Sequence, residues 1–281
     1  MNTFTQPMGQ PLDRVDGHLK VTGQARYAGE FPEQGLLHGS VVSSNIPCGR
    51  VLTIDASAAL ALPGVVAVID HTNRPQIASY DKDYEDADSA EGSPFRSLYT
   101  DQILYSGQPP APVIADTLEL ARYAGSLVRI EYESAGHQTD LLSMQGEAHP
   151  APAELPKPRG NFQAEFAGAA LSLDLHYSTP IEHHNPMEPH ASTVLYQADG
   201  TLHIHDKTQG PQNCQSYVQK VFGLDKEQVR IFAAFVGGAF GSGLRPQYQL
   251  PLAVMAALKL KRSVRVTLTR QQMFTFGYSP R

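Results

Sequence analysis

The sequence predicts a mixed fold in which an α/β domain is followed by an α+β domain. Strand and helix patterns alternate over roughly the first half of the chain, whereas hairpin signals dominate the second half. A proline-rich stretch without periodicity lies between the two halves. The chain has 281 residues, of which 41% are hydrophobic and 18% charged, so it is large and apolar enough to bury a core.

The first half is predicted to contain short strands and two helices. The predicted strands cover residues 36–44, 50–55, 65–70, 103–105, 112–115 and 127–133. The predicted helices cover residues 56–62 and 117–125, and Thr117 caps the second. Residues 11–29 are predicted to hold a short extended segment between two glycines. The acidic stretch at residues 73–100 is predicted to be a solvated loop, because its spacing does not match a calcium-binding loop.

The proline-rich stretch is predicted to be a linker at residues 136–160 between a domain at 1–135 and a second at 161–281. The second domain is predicted to contain strands at residues 170–179, 191–197, 201–206, 229–235 and 263–269 and helices at 212–222 and 248–260. The last helix carries apolar residues on more than one face, which predicts that it is buried. If the rest of a larger subunit covers one of these faces, the chain alone exposes an apolar patch and self-associates.

Composition excludes several classes of protein. The net charge of −6 and the lack of a basic stripe argue against nucleic-acid binding. No apolar run is long enough to cross a bilayer, and residues 1–10 lack a signal region. The two cysteines, Cys48 and Cys214, form no C-x-x-C pair, which is typical of a reduced compartment. We therefore predict a soluble cytoplasmic protein. A periplasmic location is predicted only if a partner carries the protein across the membrane.

A glycine-rich stretch with the sequence Val-Gly-Gly-Ala-Phe-Gly-Ser-Gly-Leu occupies residues 236–244. A strand pattern precedes it and a helix pattern follows it, and in this arrangement backbone N–H groups can converge on an anion. Nucleotide-binding spacings such as G-x-G-x-x-G are absent. Taken alone, the stretch is more simply explained as a structural turn.

The glycine-rich stretch, together with Gln209 and the run His-His-Asn-Pro-Met-Glu-Pro-His at residues 183–190, resembles the large, molybdenum-cofactor-binding subunit of the xanthine dehydrogenase and aldehyde oxidase family. The segment at residues 14–27 and the turns at 62–65 and 105–109 resemble the N-terminal portion of the same subunit. The resemblance implies an aldehyde oxidase/xanthine dehydrogenase hammerhead domain followed by the first part of a molybdopterin-binding domain.

The resemblance also implies roles for individual residues. Gln209 would donate a hydrogen bond to an oxo group on molybdenum, and Phe240 and Gly241 would meet the metal from its far side. The cofactor-binding residues implied by the resemblance are Gln209, Gly237, Gly238, Phe240, Gly241, Ser242 and Gly243. Met187, Glu188 and Leu244 would line the substrate funnel. In the family no protein side chain ligates the metal, and the general base would lie outside this chain.

The implied reaction is oxidative hydroxylation of an aldehyde or an N-heteroaromatic compound with oxygen derived from water. The implied cofactor is the molybdenum cofactor, as molybdopterin or its cytosine dinucleotide form, and the implied partners are the remainder of the large subunit and subunits that carry iron–sulfur clusters and FAD. Xanthine-type members have Lys-Glu where this chain has Gly243 and Leu244. A leucine side chain cannot accept the hydrogen bonds that recognise a purine, so xanthine is disfavoured.

Two alternatives stay open at this point. The chain would cover less than half of the family subunit, so the main interpretation is a truncated subunit that is inactive alone. The first alternative is a non-catalytic remnant or assembly module. The second is a metal hydrolase that uses the histidine-rich run with His203 and His205. The run does not have the H-E-x-x-H order, and Pro186 and Pro189 prevent the helix which that motif requires.

Overall fold

The computed structural model describes residues 8–78, 96–148, 157 and 159–275. The stretches predicted to be an acidic loop and a proline-rich linker lie partly outside these residues. The strands are β1 Leu37–Val42, β2 Gly49–Asp55, β3 Val65–Val68, β4 Gln102–Ile103, β5 Ala111–Ala115, β6 Arg129–Ser134, β7 Ala191–Tyr196, β8 Leu202–Asp206, β9 Val229–Phe232 and β10 Val264–Thr267. The helices are α1 Gly17–Val21, α2 Ser57–Leu60, α3 Leu118–Leu127, α4 Phe162–Gly168, α5 Pro211–Phe222 and α6 Gln249–Leu260. Short 3₁₀ turns occupy Gln145–Glu147, Lys226–Gln228 and Gln272–Phe274.

One mixed sheet contains strands from both halves of the chain. Its order is β3-β5-β1-β10-β7-β8-β9, and a separate three-stranded sheet has the order β4-β2-β6. The pair β1–β10 is parallel, with Leu37 opposite Val264, and it joins the two halves. β10 pairs with β7, and β7 with β8, in antiparallel fashion, whereas β8 and β9 are parallel. The two predicted domains therefore share a hydrogen-bonded sheet, and the division at residues 136–160 stays a prediction.

This pairing places an end of each of the four strands β7, β8, β9 and β10 at one edge of the sheet. β7 begins where its antiparallel neighbours β8 and β10 end, and β9 ends beside β8 because the two are parallel. The segments that follow β8, β9 and β10 and the segment that precedes β7 must therefore meet at this edge. The glycine-rich stretch, Gln209 and the histidine-rich run belong to these segments.

The core is centred on α6, which packs against β7 and β10. Residues 249–257 of this helix are all buried, including Leu250, Leu252 and Met255. The prediction that the helix is buried is confirmed. The expectation that it leaves an apolar patch on the isolated chain is wrong, because strands and loops of the same chain cover its several faces. Helix α3 has the predicted cap, because the Thr117 hydroxyl accepts from Leu120 N at 3.2 Å, and the helix packs against β1 and β5.

The sequence misplaced three elements. Residues 17–21 form the short helix α1 instead of an extended segment. Helix α4 was not predicted; it is capped by Asn161, whose Oδ1 accepts from Ala164 N at 3.3 Å. Residues 170–179 do not form a strand, although apolar and polar side chains alternate along them.

The physical reason for the missing strand is the lack of a hydrogen-bonding partner. No backbone N–H group of residues 170–187 donates to any described residue. The side chains of Leu171, Leu173, Leu175 and Tyr177 are exposed. Alternation predicts which side chains would share a face of a sheet, but a strand forms only when a neighbouring strand supplies the hydrogen bonds. The remaining predicted strands and helices are confirmed to within a few residues. Among the described residues, no helix is both long and apolar enough to cross a membrane.

Limited proteolysis tests the description of residues 170–179. We expect chymotrypsin to cleave first after Leu173, Leu175 or Tyr177, because these bonds lie in an exposed segment without backbone hydrogen bonds. Bonds after Leu250 and Leu252 in α6 should resist cleavage under the same conditions. Mass spectrometry of the first fragments locates the cuts. A segment that survives as long as α6 would contradict the structure.

Candidate functional site

Three segments meet at one edge of the large sheet. We call residues 236–244, between β9 and α6, the glycine loop. Residues 183–190, immediately before β7, are the His-rich turn, and residues 207–210, immediately after β8, are the Gln209 segment. Hydrogen bonds connect the glycine loop to each of the other two segments. The structure therefore brings together the three segments that contain the predicted site residues.

The backbone of the glycine loop is bent by residues with positive φ. Gly238 has φ +88°, Phe240 +56° and Gly241 +102°. The bend is closed by Ser242 N donating to Ala239 O at 3.0 Å. A phenylalanine in the left-handed region is uncommon and costs conformational energy, so it marks a constrained site. Its ring is 73% exposed and packs on no core.

The loop leaves consecutive backbone donors free. Within the described part of the chain, the N–H groups of Gly238, Ala239, Phe240 and Gly241 donate to no acceptor. Successive N–H groups in a bend of this kind form a concave surface that favours anions. The loop can therefore accept an anionic group without a charged side chain.

Gln209 is held against the loop by hydrogen bonds in both directions. Gln209 N donates to Gly243 O at 2.8 Å, and Gly243 N donates to Gln209 Oε1 at 3.2 Å. The Thr208 hydroxyl also donates to Gly243 O, at 3.0 Å. Because Oε1 is the acceptor in this contact, the Nε2 end of the amide points away, and Nε2 donates to no described residue. The side chain is thus oriented with its donor end free.

The His-rich turn is joined to the other end of the loop through Glu188. Glu188 N donates to Gly237 O at 3.0 Å, and Gly237 N donates to Glu188 Oε2 at 2.7 Å. Burial raises the pKa of Glu188, and its Oε1 atom is buried without a partner among the described residues. A Cβ atom on Gly237 would lie 2.7 Å from Glu188 Cβ, so this position requires glycine.

Arg270, which follows β10, clamps the His-rich turn. Its guanidinium donates to Met187 O at 2.7 Å and to Asn185 Oδ1 at 2.9 Å, and also to Pro186 O. Asn185 has a positive φ of 37°. These contacts hold the turn against the sheet edge, and the imidazole of His184 lies against Gly241, with Nε2 3.5 Å from the position of a Cβ there. Sequence reasoning missed Arg270, because a lone arginine after a strand carries no local signal.

Met187 and Glu188 border a cavity of about 540 Å³. Its other lining residues include Tyr27, Glu30, His38 and Arg265. Leu244 lies at the C-terminal end of the glycine loop, where its carbonyl accepts from Asn213 Nδ2 at 3.4 Å. The structure thus places two of the three predicted funnel residues beside one cavity and the third elsewhere on the loop.

A group of buried polar side chains that the sequence did not predict lies beneath the loop. Asp206 accepts hydrogen bonds from the Ser192 hydroxyl and from Gln249 Nε2, and Cys214 Sγ lies 3.5 Å from its Oδ2. Burial raises the pKa of Asp206 to about 6. The neighbouring Lys207 is also buried, which lowers its pKa to about 8. The sequence signal was weak, because an Asp-Lys pair at the end of a strand is usually solvated.

The metal-hydrolase alternative finds no support in the described residues. His203 and His205 share a face of β8, as the period of two predicts, but they pack against Phe232, and His205 also stacks on Phe31. Burial lowers the pKa of His190 to about 3, so this imidazole is neutral. Among residues 8–78, 96–148 and 159–275, no three His, Cys, Asp or Glu side chains are grouped so that they could hold a metal ion.

Substitution of Gly237 tests the bridge between the loop and the His-rich turn. We expect Gly237→Ala to lower the free energy of unfolding by about 1–3 kcal/mol, because the added methyl group overlaps Glu188. The matched control is Gly136→Ala, since Gly136 lacks a positive φ and no atom lies within 4 Å of its Cβ position. Urea denaturation measures both variants. Equal stability of the two would contradict the bridge.

Comparison with known protein families covers both halves of the chain. A family model described as "Molybdopterin cofactor-binding domain" matches residues 147–279. A second, described as "Aldehyde oxidase and xanthine dehydrogenase, a/b hammerhead domain", matches residues 22–135. The predicted fold class, a hammerhead domain followed by a molybdopterin-binding domain, is confirmed.

Curated relatives extend the same likeness. The chain is 35% identical over 266 residues to the aldehyde oxidoreductase molybdenum-binding subunit PaoC of Escherichia coli (strain K12), covering 94% of this chain and 35% of that protein. It is 29% identical over 275 residues to the xanthine dehydrogenase molybdenum-binding subunit of Escherichia coli O157:H7, covering 93% of this chain and 36% of that protein. The chain thus spans about a third of the length of these relatives.

A solved structure shows the same fold. The Cu,Mo-CO dehydrogenase matches with a TM-score of 0.80 at 21% identity, over 98% of this chain and 37% of that chain. At this identity the likeness concerns the path of the backbone. It agrees with the two family models in placing both halves of this chain in one known architecture.

Proposed function

The chain belongs to the aldehyde oxidase and xanthine dehydrogenase family of molybdenum-binding subunits, and we propose that its glycine loop and Gln209 bind the molybdenum cofactor in an enzyme that oxidises aldehydes or N-heteroaromatic compounds. The observation that carries this proposal is that Gln209 is bonded, with its Nε2 end free, to the same loop that carries the free N–H groups of Gly238–Gly241. Both sets of donors lie at the edge of the sheet where the three segments meet.

The residues present fit an anionic cofactor. The free donors are backbone N–H groups and a carboxamide, which stabilise negative charge without contributing a proton that could be lost. Each hydrogen bond to an ionised group contributes roughly 1.5–3 kcal/mol. Of the two carboxylates in this region, Glu188 accepts from Gly237 N, and Asp206 accepts from the Ser192 hydroxyl and from Gln249 Nε2. The lack of a side chain on Gly238 and Gly241 leaves room for close approach.

When bound, the molybdenum cofactor supplies the two-electron oxidation of the substrate with oxygen that comes from water. The residues of this chain hold and orient that group. Gln209 donates through Nε2 and is kept in place by Gly243. We take the cofactor to be molybdopterin or its cytosine dinucleotide form.

The substrate class follows from Leu244 and from the relatives. The Leu244 side chain is half exposed and offers no hydrogen bond to a purine, which favours an aldehyde or a less polar heteroaromatic ring. The identity of 35% to an aldehyde oxidoreductase subunit, against 29% to a xanthine dehydrogenase subunit, supports the same choice. These relatives are named as subunits, and we propose that iron–sulfur and FAD subunits receive the electrons. We propose that the part of the large subunit outside the matched third is a further partner.

Substitution of Gln209 tests the proposed role of its amide. The chain is combined with the remaining portion of a related large subunit and with the electron-transfer subunits, and aldehyde oxidation is followed with a dye as electron acceptor. We expect Gln209→Ala to lower kcat about 10²-fold, as loss of a single preorganised donor does in other enzymes, with molybdenum content unchanged. The control is Gln212→Ala, an exposed glutamine on α5. Unchanged turnover in Gln209→Ala would refute the role.

Substitution of Gly241 tests the loop itself. We expect Gly241→Val to abolish both molybdenum content and turnover in the reconstituted enzyme, because a β-branched residue strains a φ of +102° and meets His184. Gly146→Val, at a glycine with no positive φ and open space around it, is the control. Metal content is measured by mass spectrometry. If Gly241→Val retains full metal content, the alternative of a non-catalytic module gains support.

A further inference from the structure

Lys207 is buried completely, with 0% of its surface exposed. A lysine is almost never buried to this extent unless its ammonium group is paired, because removing the charge from water is costly. Lys207 follows β8 directly, and its backbone N donates to Ala191 O at 3.0 Å, which anchors it beside β7. The proposed binding of the cofactor by Gln209 and the loop does not use this side chain.

The ammonium group of Lys207 reaches the underside of the glycine loop. Lys207 Nζ donates to Ser242 Oγ at 3.5 Å, and Ser242 Oγ donates to Ala239 O at 2.8 Å. Ser242 is itself buried. These two hydrogen bonds connect the lysine through one hydroxyl group to the bend of the loop, where Phe240 and Gly241 have positive φ.

Two carboxylates act electrostatically on the same ammonium group. The negative charges of Glu188 and Asp206 favour the protonated form of Lys207, against the effects of burial and of the positive charge of Arg270. Asp206 has neutral hydrogen-bonding partners in Ser192, Cys214 and Gln249. Glu188, in contrast, has one oxygen on Gly237 N and the other buried without a described partner. The charge of Lys207 thus acts on both carboxylates, and more strongly on that of Glu188.

We propose that Lys207 is a positioning residue that holds the glycine loop in its bent conformation. Its hydrogen bond to Ser242 supports the C-terminal end of the bend, and its charge balances that of Glu188, which is bonded to Gly237 at the N-terminal end. The C-terminal end of the row of free N–H groups is thereby bonded to the buried ammonium group, whereas the N-terminal end is bonded to a carboxylate whose charge favours the protonated form of that group. That this row receives the cofactor rests on the proposed function, whereas the role of Lys207 in ordering the loop does not.

Amide hydrogen exchange in the 281-residue chain tests the proposal without the cofactor. We expect Lys207→Met to raise the exchange rates of the Ser242, Gly243 and Leu244 amides by about tenfold or more, because these amides are protected only while the bend is closed. Amides of the β1–β10 pair should keep their rates. The control is Lys259→Met, whose ammonium group donates to Asn73 O at an exposed site. Unchanged exchange in the loop of Lys207→Met would overturn the proposal.

A double variant separates the effect of charge balance from that of side-chain packing. Glu188→Gln keeps an oxygen acceptor for Gly237 N but removes the negative charge, so Lys207→Met combined with Glu188→Gln should recover most of the protection lost in Lys207→Met. This double variant also remains informative if Lys207→Met alone fails to fold. If it exchanges as fast as Lys207→Met, or also fails to fold, Lys207 does not act by balancing Glu188 and the proposal is refuted.

Variants at Ser242 test the hydrogen-bonded connection. Ser242→Ala should raise the exchange rates of the loop amides. When Lys207→Met and Glu188→Gln are added to Ser242→Ala, these rates should rise little further, because the lysine acts on the bend through the hydroxyl group. Fully additive effects would overturn this part of the proposal. Loop exchange that follows these expectations, combined with a reconstituted enzyme that binds no molybdenum, would refute the proposed function while the role of Lys207 stands.

Discussion

The parallel pairing of β1 with β10 is the constraint on which the rest of the structure depends. It joins the two halves of the chain in one sheet and fixes β10 as the neighbour of β7. The order β10-β7-β8-β9 then brings the end of three strands and the start of a fourth to one edge. The glycine loop, Gln209, Glu188 and Arg270 all lie in segments that leave or enter the sheet at this edge. The site is therefore a consequence of strand direction as much as of the residues in it.

The site separates neutral donors from charged groups. The atoms that remain free to bind a ligand belong to the backbone of the glycine loop and the carboxamide of Gln209, whereas Lys207 and Asp206 are buried beneath the loop and Glu188 is half-buried beside it. Neutral donors keep their protons at any physiological pH, so the binding surface itself is insensitive to titration. The buried charges stabilise one another and hold the loop from below. This arrangement tolerates a strained Phe240 because both ends of the bend are tied to the fold.

Two differences between the sequence prediction and the structure have the same origin. The alternating stretch at residues 170–179 has the pattern of a strand but no partner among the described residues, and helix α6 has apolar residues all round but is covered by its own chain. A side-chain pattern states which faces are apolar, and it does not state what lies against them. The outcome in each case depended on neighbours that are distant in sequence.

By itself, the sequence determined the local elements and the membership of the chain in its family. Strand and helix periods, the Thr117 cap and the glycine-rich stretch are short-range signals, and they place most elements correctly. Only the tertiary structure decided which of these residues meet. Glu188 and Gly237 are separated by 49 positions, and their hydrogen bonds depend on the register of the sheet. The burial of Lys207 and its contact with Ser242 were also decided by the tertiary structure, because they depend on strand pairings that the local sequence does not reveal.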